Sequence, residues 1–206
     1  MLGARVNDVE LGAHRWFAAT SAGLFTSKDQ GKIWTGGPIA NQQDFVSVQS
    51  QADLVVAATH SAVLVSHNEG VTWQPVVLAS YPTNIRSVTV TPDTQILVAT
   101  REGAFHSADS GKSWSHVLAG LPDKDITSVA YDGFHKRFLA ASSASGVVFE
   151  SVDGSTWRRG PDSGYALRHI TVAHGRYVAA TPFDGVIAQP RSEAQNTAAL
   201  NSGASN

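Results

Sequence analysis

Cysteine is absent from this 206-residue chain, and methionine occurs once. Without thiols there is no disulfide framework and no thiolate chemistry. An excess of either charge is missing too: 15 Lys and Arg against 17 Asp and Glu leave a net charge of −2. That balance gives no long-range pull toward nucleic acid or an anionic lipid surface. No apolar run reaches the roughly 18 residues that mark a membrane span. The opening stretch from Met1 to Asp8 has no apolar h-region and turns acidic at once, so it does not read as a signal peptide. No window shows the three- and four-residue apolar steps of an amphipathic helix. The eight histidines are scattered, none is paired at i, i+4 beside a Glu, and no glycine-rich phosphate phrase occurs. Neither a metal nor a cofactor is expected.

What the chain does have is internal repetition. Apolar residues make up 42% and charged residues 16% of the sequence, an ordinary composition for one globular domain. Four times it repeats a Ser-x-Asp-x-Gly-x-Thr-Trp-like phrase. The copies are built on Ser27, Asp29, Gly31 and Trp34; Ser66, Asn68, Gly70 and Trp73; Ser107, Asp109, Gly111 and Trp114; and Ser151, Asp153, Gly154 and Trp157. The tryptophans lie 39, 41 and 43 positions apart, a period that signals a repeat architecture.

Around each phrase the same runs recur. Val6 to Val9, Phe45 to Val48, Ile85 to Val88, Ile126 to Val129 and Leu167 to Ile170 open the units. A denser run follows, ending in Thr20, Thr59, Thr100, Ser142 and Thr181, and a third begins at Gly23, Ala62, Gly103, Gly146 and Gly185. Each run has strand length, is rich in β-branched and aromatic residues, and is bounded by turn formers. Each tryptophan opens a fourth strand in this reading. Four short antiparallel strands per forty residues make a β-propeller blade. The fold class is all-β, with about five four-stranded blades, the fifth stopping after its third strand. The repeats run over 6–40, 41–82, 83–123, 124–164 and 165–191. The Ala/Asn/Ser-rich stretch 192–206 offers too little apolar surface to offset its ordering entropy and is expected to remain disordered.

The repeated phrase resembles the Asp-box, or BNR, repeat of sialidase-like, sortilin-like and photosystem-assembly-factor-like propellers. The resemblance spans about residues 6–189. It implies a propeller without implying an activity, since these families share the repeat and not a reaction. Only five residues precede Val6, too few for the closing strand and its loop. Two arrangements follow: a five-bladed ring with one three-stranded blade, or part of a larger propeller, which is favoured. The compartment is left open, the resemblance leaning extracytoplasmic if further residues lie upstream.

The box residues are read as structural. The Asp carboxylate fixes the turn by accepting backbone amides, the glycine takes positive φ, and the indole packs. Asn68 keeps the turn-forming oxygen without charge, and the fourth copy is one residue shorter, which a metal site would tolerate badly. In propellers, ligands sit over the channel on the face of the D–A and B–C loops, an inference from the fold. There the candidates are Arg86, Arg168, His60, Arg101, Glu102, Tyr165, Phe183 and Asp184, beside Asn7, Lys124, Asp125 and His169. Arg86 and Arg168 share one repeat position with Asn7, Val46 and Thr127, and two arginines can grip a carboxylate or acidic peptide. A sialidase resemblance implies an Arg-Ile-Pro phrase, three converging arginines and a Tyr/Glu nucleophile pair. Arg5-Val6-Asn7 does not match it, and Tyr81, Tyr131, Tyr165 and Tyr177 sit in no catalytic phrase. No catalytic residue is assigned. The expected function is a non-catalytic scaffold for a protein or peptide partner. The alternatives are a glycan-binding or glycoside-hydrolase-like protein, with Glu102 and Asp184 as its carboxylates, or a truncated fragment without activity of its own.

Overall fold

The structure is a computed structural model that describes residues 3–37, 39, 43–78, 84–117, 119–121, 125–143 and 145–189. Lys124 and the stretch 192–206 fall outside them. Among the described residues every regular element is a strand. The first sheet holds β1 (Val6–Leu11), β2 (Trp16–Thr20), β3 (Gly23–Ser27) and β4 (Thr35–Gly36). The second holds β5 (Phe45–Gln51), β6 (Leu54–Thr59), β7 (Val63–Ser66) and β8 (Gln74–Val76). The third holds β9 (Ile85–Val90), β10 (Ile96–Thr100), β11 (Gly103–Ser107) and β12 (Ser115–Val117). The fourth holds β13 (Ile126–Asp132), β14 (Arg137–Ser142), β15 (Val147–Ser151) and β16 (Arg158–Asp162). The fifth has three strands, β17 (His169–Ala173), β18 (Arg176–Ala180) and β19 (Val186–Ala188). Within the sheets all pairings are antiparallel between sequence neighbours.

The five sheets are blades around one axis. Their first strands pack on one another in order, β1 on β5, β5 on β9, β9 on β13 and β13 on β17. Apolar alternation supplies four seams between blades. At the first, Phe17, Ala19 and Leu24 meet Phe45, Val48, Val55 and Ala57. At the second, Val56, Ala58 and Val63 meet Ile85, Val88, Val98 and Phe105. Leu97, Ala99 and Ala104 meet Ile126, Val129, Phe138 and Trp157 at the third. Leu139, Ala141 and Val148 meet Leu167, Ile170, Tyr177 and Ala179 at the fourth. Among the described residues no apolar cluster and no hydrogen bond joins the fifth blade to the first.

A polar relay runs along the inner strands beside these seams. The amides of Val48, Val88, Val129 and Ile170 donate to the preceding blade's Asp8 Oδ2 (3.0 Å), Ser47 Oγ (3.2 Å), Ser87 Oγ (3.2 Å) and Ser128 Oγ (3.1 Å). One small polar side chain per repeat thus staples each inner strand to the next.

The repeated phrases form the turns before each fourth strand, which start one residue after the tryptophan rather than at it. The reason is that three indoles fold back: Trp73, Trp114 and Trp157 donate Nε1–H to the carbonyls of Gly70, Gly111 and Gly154 at 3.0–3.1 Å. Asp109 Oδ1 accepts the Ser113 amide (2.8 Å) and its Oδ2 the Ser113 hydroxyl (2.6 Å). Led by that hydroxyl, these bonds hold the Asp109 carboxyl down at about 2. Asp29 and Asp153 are also held below the usual carboxylate range, chiefly by the amides of Ile33 and Thr156. Asn68 makes the same turn without charge, its Oδ1 accepting the Thr72 amide at 2.8 Å. Copies one to three pass through two successive left-handed residues (Gln30 and Gly31, Glu69 and Gly70, Ser110 and Gly111), whereas the shorter fourth copy has Gly154 alone. These bonds are local capping interactions that fix a turn.

Candidate functional site

At one end of the axis the pairing of first and second strands slips in four blades. The shift falls between Val6 and Asp8, Phe45 and Ser47, Ile126 and Ser128, and opposite Ala99 and Thr100. A bulge leaves one residue unpaired and re-aims its side chain. Those residues are Asn7, Val46, Thr127 and Arg86. Together with Arg168, at the equivalent position of the fifth blade, they line a single cavity of about 750 Å³. All five blades therefore contribute one residue of the same repeat position to the mouth of the channel.

Most of these side chains clasp the following blade. Asn7 Nδ2 donates to Asp44 Oδ1 and to the Phe45 carbonyl, each at 2.7 Å. Arg5 joins this group through Asn7 Oδ1 (3.0 Å) and Asp44 Oδ2 (3.1 Å). Arg86 forms an ion pair with Asp125 at 2.5 Å, and its Nε has no hydrogen-bond partner among the described residues. Thr127 Oγ1 donates to the carbonyls of Ala141 (3.1 Å) and Leu167 (2.9 Å). Arg168 is exposed, and no ion pair engages it among the described residues.

Of the residues expected on the binding face, Arg86, Arg168 and His60 line this cavity, as do Asn7 and His169. Arg101, Glu102, Tyr165, Phe183 and Asp184 are not among its lining residues. The Arg101 carbonyl accepts the Asp125 amide, and the Glu102 carbonyl faces His116 Nε2 at 3.1 Å. The Asp184 amide donates to Thr181 Oγ1 at 2.8 Å, and Phe183 stands 95% exposed. Tyr165 is exposed in the loop before β17. Arg5, Asp8 and Asn84 belong to the lining without having been expected there. Arg5 precedes the first strand, where no repeat neighbour draws attention to it.

Asp8 is the one carboxylate among the described lining residues of this cavity, and it is committed. Its Oδ2 accepts the Ser47 hydroxyl (2.9 Å) and the Val48 amide, while its Oδ1 accepts the Val9 amide (2.9 Å). A second cavity of about 470 Å³ continues along the axis, bordered by Glu10 and Tyr131. Burial pushes the Glu10 carboxyl up, against the hydrogen bond from Ser50 Oγ at 2.8 Å. The mouth is thus rich in donor groups: Arg5, Arg86, Arg168, His60 and His169 surround a space in which the one carboxylate among the described lining residues, Asp8, is already bonded. Among the described residues no group of His, Asp or Glu is arranged to hold a metal ion.

No protein-family model matches the sequence, and no curated protein matches it. Solved structures do match. YCF48 bound to D1 peptide superposes with a TM-score of 0.66 at 17% identity, over 91% of this chain and 63% of that one. An ancestral GH74 enzyme gives 0.71 at 17% identity, over 89% and 30%. The extracellular domain of a hybrid two component system from B. thetaiotaomicron gives 0.74 at 13% identity, over 94% and 28%. The chain spans less than two thirds of the length of each, and identities this low speak of architecture alone. By its sheets, its seams and these likenesses, the chain is a five-bladed β-propeller.

Proposed function

We propose that the protein is a non-catalytic docking platform that holds a protein or peptide segment over the channel mouth. The observation that carries this reading is the fate of the arginines. Arg5 and Arg86 each have a carboxylate, Asp44 and Asp125, and Arg168 lines the same cavity with none among the described residues. A carboxylate of the partner on Arg168 would complete the pattern, since guanidinium–carboxylate pairs are among the stronger directed contacts. YCF48, solved with a peptide, supports the reading as an analogy of fold. Glycoside hydrolysis would ask for two carboxylates facing one sugar, and Asp8 is held by three donors.

The test is fluorescence anisotropy with a labelled peptide rich in Asp and Glu and its Asn/Gln counterpart. The acidic peptide should bind, and Arg168→Ala should weaken it about tenfold, the equivalent of ~1.4 kcal/mol. Arg86→Ala should instead lower the melting temperature, because its partner Asp125 belongs to the adjoining blade. Equal binding of both peptides to wild type and Arg168→Ala would remove the carboxylate role; no saturable binding of either would remove the platform.

A further inference from the structure

Among the described residues four seams join the blades, and one sheet face of the first blade and one of the fifth pack against no other described blade. Both carry seam chemistry. Val9 stands where Val48, Val88, Val129 and Ile170 stand in the other blades; those four are at most 4% exposed, and Val9 is 45% exposed. Val6 and Leu11 on the same strand are 46% and 60% exposed. On the fifth blade, Val186 pairs with Ala180 as Leu24, Val63, Ala104 and Val148 pair with Ala19, Ala58, Ala99 and Ala141. The first four of these are at most 1% exposed, and Val186 is 72% exposed. The relay shows the same vacancy. Val9 donates its amide to its own Asp8 Oδ1, whereas the equivalent amides are held by the blade before. Contiguous exposed apolar surface of this kind marks interaction sites.

We propose that these two faces meet between copies, the fifth blade of one chain seating on the first blade of the next. The two faces hold the two sides of a seam. At three of the four seams one blade presents small or aliphatic residues (Leu97, Ala99 and Ala104, for example) and the next adds aromatic ones (Phe105, Phe138 and Trp157, or Tyr177), while the first seam has an aromatic ring on both sides, Phe17 and Phe45. The fifth blade offers Val178, Ala180 and Val186 at the positions of Leu97, Ala99 and Ala104, and the first offers Val9, Trp16 and Phe25 at those of Val129, Phe138 and Phe149. Only the mouth end is mismatched, for Arg168 would come beside Arg5, which Asp44 already pairs. Salt screens that repulsion, so association should strengthen as salt rises. The contact is heterologous, and it therefore either closes after a whole number of copies or continues as an open chain.

Sedimentation velocity on wild type, Val9→Glu and Val186→Glu tests this. Both positions are exposed, so each variant should melt as wild type does. Wild type should sediment faster as concentration rises, and each variant alone should remain a monomer. Mixed one to one, the variants should form a dimer and grow no further, because each keeps one intact half of the seam. A wild-type monomer at every concentration overturns the proposal. So does self-association of Val186→Glu alone, which would mean that first blades pair with each other, or a mixture that stays monomeric.

Discussion

Replacing Phe105 with alanine should destabilise the protein by about 3–5 kcal/mol, the range for emptying a buried phenylalanine site. Phe105 is fully buried at the seam between the second and third blades, packed among Val56, Val65 and Val98. Its ring also stacks on His116, with centroids 4.8 Å apart. Among the described residues the main packing of each blade is with its sequence neighbours, so little else can take over what that seam loses. For a domain of this size the melting temperature should drop by roughly 10 °C. Val9→Ala is the control, because Val9 holds a repeat-equivalent seam position over which no other described blade of the same chain packs. It should change stability by less than about 1 kcal/mol. Chemical denaturation of both variants checks the pair. Equal losses would mean that burial at the seams is not what joins the blades.

Gly120→Ala should be nearly as severe, for a backbone reason. Gly120 follows β12 with φ +82, and a Cβ there would lie 1.9 Å from the Trp157 carbonyl oxygen and 2.7 Å from its carbon. The chain passes this close because the Trp157 amide donates to the Ala119 carbonyl at 3.1 Å, tying the exit of the third blade to the turn of the fourth. A side chain must break that tie as well as adopt a left-handed conformation, and the two together cost upward of about 3 kcal/mol. Gly133→Ala, whose Cβ would meet nothing within 4 Å, should be neutral or slightly stabilising. Thermal melts of the two variants, expressed and measured side by side, decide the matter. A Gly120→Ala protein as stable as Gly133→Ala would show that the close approach is not present in solution.

The blades were legible because their chemistry is local. A Ser, an Asp or Asn, a Gly and a Trp within eight residues specify a turn in which the bonds of the Ser, Asp or Asn and indole side chains fall within four residues, and four copies in register leave little choice of architecture. The short fifth unit was equally plain, since no tryptophan follows Ala188. The relay was half visible: Ser47, Ser87 and Ser128 recur in sequence, but only the fold shows that each hydroxyl serves an amide about forty residues on. The channel mouth was the least readable. Arg86 and Arg168 look alike in the repeat, and nothing local reveals that Asp125, 39 residues away, holds one and not the other. The bulges that turn Asn7, Val46, Arg86 and Thr127 inward depend on strand pairing and have no composition signal. Choosing Arg101, Glu102, Tyr165, Phe183 and Asp184 by loop position alone therefore picked residues that do not line the cavity, while Arg5 went unnoticed ahead of the first repeat.

The central claim is that successive blades are stapled at their inner strands as well as packed at their seams. Amide hydrogen exchange, resolved residue by residue, addresses it directly, because a protected amide reports a bond that opens only with its structural unit. The amides of Val48, Val88, Val129 and Ile170 should exchange as slowly as those of the central strands, such as Ala57 and Val98. Exchange of these four at the rate of an exposed turn amide such as Lys32 would mean that the blades do not share the common axis described here.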